Sequence, residues 1–173
     1  MSEASSRPAA VSEATRHVMQ ANKSKNTKPE LVVRTYLREA GYAGYRLHWK
    51  KCAGRPDICY PGRKVAIFVN GCFWHRCPHC NLPTPKSNVE FWENKFRRNR
   101  ERDERNRRAL AESGWRVIVV WECALKRGRA ASTLAEVVRE VELATAGITP
   151  EGRHVEAGYA RVRHLAGARR RLR

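Results

Sequence analysis

Seven consecutive residues, Trp115-Arg-Val-Ile-Val-Val-Trp121, form the strongest strand signal in the chain. They are apolar enough to be buried on both sides, as a central strand is when helices cover both faces of its sheet. The neighbouring patterns agree with a sheet anchored there. Residues 45–49 are aromatic and extended-favouring, and residues 58–60 and 65–69 are short apolar runs separated by a Pro61-Gly62 turn. Thr27-Lys-Pro-Glu30 has capping-box spacing, after which Val33, Leu37 and Ala40 recur on one face until Gly41, predicting a core-facing helix. Ser87-Asn-Val-Glu90 repeats the signature and opens a long charged helix, framed by Phe91, Lys95 and Leu110, that ends at Gly114. A last helix over residues 132–144 carries Leu134, Val137, Val138 and Val141, and a short one is possible over residues 12–20. The predicted class is α/β, a mixed sheet between helices, and 173 residues suffice for one sizeable core.

Charge narrows the partner. Thirty-five Lys and Arg oppose 17 Asp and Glu, a net +18, while 42% hydrophobic residues still allow a packed interior. A polyanion is therefore the expected partner, nucleic acid ahead of an anionic membrane surface. Between Lys95 and Arg108 eight basic residues face three acidic ones, which reads either as a solvated helix face or as a phosphate-binding one. From Glu151 to Arg173 seven arginines oppose two glutamates, predicting a loosely ordered, phosphate-seeking tail. No apolar run reaches membrane-spanning length, and the opening MSEASSRPAA gives no expectation of export. In the reducing, cytoplasmic setting this implies, the six cysteines read better as metal ligands than as disulfides.

The chain has only two aspartates, Asp57 and Asp103, against fifteen glutamates. Asp57 follows Arg55-Pro56, a dipeptide expected to hold extended backbone at a strand mouth. There a carboxylate can hold a hard divalent cation against a phosphate, or make an ordinary turn. Cys72, Cys77, Cys80 and the distant Cys123 match a tetrahedral zinc site, with His79 able to replace one sulfur; the alternative is four small buried hydrophobes. Cys52 and Cys59 lack such spacing and read as packed thiols. Cys72-Phe-Trp-His75 sets Phe73 and Trp74 beside a proposed ligand, where rings stack on bases or simply fill the core. His75 reads as a satisfied histidine or as the proton acceptor for an attacking water, with a carboxylate orienting its other nitrogen.

Taken in order, Gly54-Arg-Pro-Asp57, Phe68-Val-Asn-Gly-Cys-Phe-Trp-His75, Glu90-Phe-Trp92, Glu101-Arg-Asp103, Gly114-Trp-Arg-Val and Trp121-Glu-Cys123 resemble the very short patch repair (Vsr) DNA mismatch endonucleases. The resemblance implies a restriction-endonuclease-like fold with a structural zinc site, and cleavage 5′ to the thymine of a T·G mismatch left by 5-methylcytosine deamination. It implies Mg2+ on Asp57 and the backbone carbonyl of Val69, His75 as general base backed by Asp103, and Glu30 as a further acid. Phe73, Trp74 and Trp92 match stacking wedges, and Met19 matches a residue inserted from the opposite groove. Asn70 stands where some relatives have histidine, and Cys77 where well-known members have a histidine ligand, so a four-cysteine site is expected.

The expected organisation is an N-terminal arm over residues 1–18, a nuclease domain over 19–145 and a basic tail over 146–173. The expected partner is double-stranded DNA bearing the mismatch, bound by a monomer in the nucleoid-associated cytoplasm. A cytosine-5 methyltransferase acts upstream, and a repair polymerase and ligase downstream. Lys50, Lys51, Arg55, Lys95 and Arg98 are candidate DNA contacts. Two alternatives are a related nuclease with another target, as in restriction or defence, and a non-catalytic zinc-containing DNA-binding module.

Overall fold

The computed structural model describes residues 25–126, 128–148 and 154–159. The expected short helix at 12–20, Met19 and most of the basic tail lie outside these residues. Helix α1 (Lys28–Glu39) begins where Thr27 caps it: Thr27 Oγ1 accepts from the Glu30 N–H at 3.4 Å. Val33 and Leu37 are its fully buried positions, whereas Ala40 is the exposed C-cap and not part of the core face.

Strands β1 (Arg46–Leu47), β2 (Ile58–Tyr60), β3 (Val65–Asn70), β4 (Arg116–Trp121) and β5 (Val155–Ala157) form one sheet in that spatial order. The first two pairings are antiparallel and the last two parallel, so the sheet is mixed. A parallel pairing needs a crossover, and the two crossovers lie on opposite faces. Helix α3 (Val89–Glu112) joins β3 to β4, and α4 (Ala130–Thr145) joins β4 to β5. The short helix α2 (Cys72–His75) lies directly after β3.

Side-chain alternation on β4 serves both layers. Ile118 and Val120 pack with Val33, Leu37, Val137 and Val141 in the α1/α4 core. Val117 packs with Leu110 of α3, and Val119 and Trp121 pack with the cysteine-rich loop. Arg116 is buried where β4 starts; it donates to Glu140 of α4 and to the Ile148 carbonyl, tying that strand to its crossover helix.

Three expectations change. Ser87 forms no capping box: Asn88 turns left-handed at φ 52° without a side-chain cap, and α3 starts at Val89. The buried face of α3 is Trp92, Phe96 and Leu110; Leu110 stands as expected, but Trp92 and Phe96 take the buried places of Phe91 and Lys95, which are half-buried at its margin. Within the stretch read as a loose tail, Val155–Ala157 instead completes the sheet beside β4. Gly158 closes it at φ +85°, where a Cβ would collide with Thr133 Oγ1. Among the described residues no helix is long and apolar enough to cross a membrane.

Candidate active site and cysteine centre

Because β3 and β4 run parallel with Asn70 opposite Trp121, whatever follows the two strands emerges at one edge of the sheet. After β3 come Gly71 and Cys72; after β4 come Glu122 and Cys123. The Sγ atoms of Cys72, Cys77, Cys80 and Cys123 all lie within 4.8 Å of one another, and those of Cys77 and Cys123 are 3.6 Å apart. Zn–S bonds of about 2.3 Å in a tetrahedron set sulfurs roughly 3.8 Å apart, so the cluster fits a zinc-sized ion. Burial pushes the Cys72 thiol up to about 12, so a bound cation is what would hold it as thiolate. His79 is turned to other partners: its Nε2 is 2.7 Å from Glu156 Oε2, and its ring stacks on Tyr159 at 3.5 Å. Tyr159 in turn sits 3.2 Å from Cys123 Sγ. Cys52 and Cys59 are buried away from this cluster.

The expected acids gather at the same edge, lining a cleft of about 970 Å³. Glu30 is 3% exposed; its carboxylate accepts from Thr27 Oγ1 and from the Asn26 N–H, both at 2.9 Å. Asp57 Oδ2 accepts from the Val69 N–H at 2.7 Å. Burial pushes the Asp57 carboxyl up to about 6, with Glu30 adding to the rise and the Val69 N–H and His75 opposing it. The loop before Asp57 is not extended as Arg55-Pro56 suggested. Gly54 and Arg55 are both left-handed, at φ 74° and 50°, and Arg55 N–H donates back to Cys52 O at 3.0 Å. Glycine is required there because a Cβ would stand 2.8 Å from Asn106 of α3.

Sequence reasoning missed His48. Its Nδ1 lies 3.7 Å from Asp57 Oδ1 and its Nε2 3.7 Å from Glu30 Oε2, so one imidazole stands between both acids. Burial lowers its pKa despite Glu30. His75, at the end of α2, places Nδ1 2.5 Å from Asp103 Oδ2. Burial alone would raise Asp103; the hydrogen bond and charge of His75, helped by Arg102, hold it below the usual carboxylate range. Asn99 donates to the Trp74 carbonyl at 3.0 Å and fixes the turn between them.

One stripe of α3, Lys95, Asn99, Arg102, Asp103, Asn106 and Arg107, lines the cleft. Its spacing of three and four residues is the helical period, a signal already present in the sequence. The basic cluster thus divides: Arg97 pairs with Glu101 on the exposed face at 3.2 Å, and Arg98 is also exposed. Arg55 lines the cleft, while Lys50 and Lys51, on the β1–β2 connection, are exposed and are not among the residues that line it. Asn70 lines it too, although it is only 5% exposed. Phe73 and Trp74 are half-buried and meet edge-on at 5.2 Å. Trp92, 4% exposed, and Phe96 form the floor beneath Phe73, at 5.5 and 5.2 Å.

The family model described as DNA mismatch endonuclease Vsr matches residues 10–82, which include Glu30, Asp57 and His75. The type II nicking enzyme V.XorIIP of Xanthomonas oryzae pv. oryzae is 49% identical over 111 residues, covering 64% of this chain and 80% of that protein. The chain belongs to the Vsr family. Two further relatives extend the match. The type II nicking enzyme V.NmeAIP of Neisseria meningitidis is 43% identical over 122 residues, 69% of this chain and 85% of its own. The DNA mismatch endonuclease Vsr of Escherichia coli is 40% identical over 146 residues, 80% of this chain and 92% of its own. Membership of the Vsr family makes this chain a nuclease-type enzyme that binds DNA.

Proposed function

We propose that this chain is a metal-dependent endonuclease that nicks one strand of duplex DNA, on a restriction-endonuclease-like fold braced by a four-cysteine zinc centre. The observation that carries the reading is the His75–Asp103 pair facing the Asp57 and Glu30 carboxylates across a cleft walled by basic α3. With Nδ1 committed to Asp103, His75 keeps Nε2 as the ring atom that takes a proton from the attacking water. Arg55, Lys95 and Arg102, which line the cleft, are the proposed phosphate contacts, and Asn70, which lines it too, is the proposed hydrogen-bond donor to the scissile one. Asp57, Glu30 and the Val69 carbonyl would hold a divalent ion, Mg2+ by the family resemblance, which when bound would supply charge stabilisation for the phosphate and the leaving oxygen. The donor chemistry fits: two carboxylates converge within 4.8 Å of an imidazole whose buried Nε2 has no hydrogen-bond partner.

The target is the finer part of the proposal. V.XorIIP and V.NmeAIP carry names that speak of nicking, and the Escherichia coli relative one that speaks of a mismatch. Nicking is thus the better-supported element, with the T·G mismatch the first target to try. Phe73 and Trp74 favour it physically, because rings braced by Trp92 and Phe96 can wedge into a stack that a wobble pair has already weakened. On that reading a cytosine-5 methyltransferase creates the lesion's precursor, and a polymerase and ligase close the nick. The test is cleavage of end-labelled duplexes, T·G and matched in varied contexts, by wild type and Asp57→Asn. A nick 5′ to the mismatched thymine alone supports repair, and a nick in matched DNA supports a sequence-directed target. Binding without cleavage in every context removes the enzyme reading.

A further inference from the structure

His48 belongs to none of the motifs that carry the family resemblance, yet it sits at the centre of the acid cluster. It follows β1 directly and is held at φ 45°, the left-handed region that histidine, like asparagine and aspartate, enters more readily than most residues. Here the His48 N–H donates to the Asp57 carbonyl at 3.4 Å, which carries the β1–β2 ladder one step further and locks the ring against both acids.

A histidine kept for packing alone normally has its ring nitrogens hydrogen-bonded. His48 does not conform: its Nε2 is buried without a hydrogen-bond partner, and both ring nitrogens are 3.7 Å from the facing carboxylate oxygens. That separation is too long for a hydrogen bond. It suits ligands of a shared ion, since donors about 2.2 Å from one cation stand roughly 3–4 Å apart. An imidazole gives one nitrogen to such an ion, and with one atom from each of Glu30, His48 and Asp57 the three donors lie within 4.8 Å of one another.

The geometry points to His48 as a nitrogen ligand that completes a mixed N/O site with Glu30 and Asp57, so that the cleft takes a first-row transition ion, for which Mn2+ is the paramagnetic probe, in preference to Mg2+. This rests on the metal-dependent nuclease reading and specifies its ion. Imidazole suits first-row transition ions, whereas Mg2+ selects oxygen and retains its water.

The full-length protein loaded with Mn2+ is read by pulsed electron paramagnetic resonance, where a bound imidazole gives a nitrogen coupling that changes on 15N-histidine labelling. His48→Asn removes the imidazole while tolerating the left-handed backbone, and His75→Asn is the control for the other nearby ring. The expected result is a histidine coupling in wild type and His75→Asn, lost in His48→Asn. Mn2+ affinity should fall about tenfold or more in His48→Asn while Mg2+ affinity stays within about threefold. No coupling in wild type, or coupling lost only in His75→Asn, overturns the assignment. The labelled wild type and its Mn2+/Mg2+ affinity ratio decide the matter even if His48→Asn fails to fold, since a ratio near one also overturns it. Nicking without coupling removes the inference and spares the nuclease reading; coupling without nicking does the reverse.

Discussion

Replacing Asp103 by Asn tests the proposed proton path with almost no change of shape. The amide oxygen can still accept from His75 Nδ1, but the negative charge that would stabilise an imidazolium is gone. Charges about 4 Å apart at an effective dielectric of about 20 interact by about 4 kcal/mol. The His75 and Asp103 side chains are 24% and 15% exposed, so solvent screening reduces this to about 2–4 kcal/mol. At about 1.4 kcal/mol per decade, the nicking step should slow about 30- to 1,000-fold. Single-turnover cleavage with protein in excess isolates that step from binding. DNA affinity should hold or rise, because a negative charge has left a cleft that receives phosphates. A wild-type rate in Asp103→Asn, or a loss of affinity as large as the loss of rate, refutes the role assigned to the pair.

Asp57→Asn should abolish nicking yet stabilise the metal-free protein. A carboxyl raised from 3.8 to about 6 loses stability as pH climbs through that window, so removing its charge adds up to about 3 kcal/mol at pH 7 and nothing near pH 3. Chemical denaturation at both pH values checks the sign. By the same linkage, divalent-ion affinity at the cleft should fall roughly tenfold per unit below pH 6, as calorimetry would show. Glu140→Gln leaves Arg116 buried without its counter-charge and should cost about 3–5 kcal/mol, seen as a lower thermal midpoint with nicking intact below it. Cys80→Ser should reduce bound zinc from about one ion per chain; less than about half an ion in washed wild type would sink the tetrahedral centre.

Where one residue's periodicity sufficed, the fold was legible. Val33 and Leu37 on α1, the continuous apolar run of β4 and the Leu134, Val137 and Val141 face of α4 each announce one buried surface. The start of α3 was not legible, because Ser87 and Glu90 have capping spacing but Asn88 takes the left-handed turn first. Nor was β5, whose three residues Val-Glu-Ala are too few for their alternation to stand out and which is held by pairing with β4. In the site, Asp57, His75, Asp103 and the cysteines stood out by rarity and spacing. His48 did not, because a lone histidine among Leu47 and Trp49 acquires meaning only when β1 pairs with β2 and α1 delivers Glu30.

The cysteine cluster and the nuclease cleft are coupled through α2. Cys72 and His75 are the two ends of that four-residue helix, and a helix so short has no cooperative stability of its own. Its orientation must come from contacts at both ends. At one end Cys72 receives the Cys123 N–H at 3.4 Å and gives its own N–H to Glu122 Oε2 at 3.4 Å, so β4 fixes it. At the other, Asp103 and Asn99 of α3 hold His75 and the Trp74 carbonyl. An ion shared by Cys72, Cys77, Cys80 and Cys123 would make the first attachment rigid, leaving α3 to set the ring's angle. Loss of that ion in Cys80→Ser should therefore slow nicking through His75 more than it weakens DNA binding, since the basic stripe of α3 stands on Phe96 and Leu110 and does not depend on the cysteines.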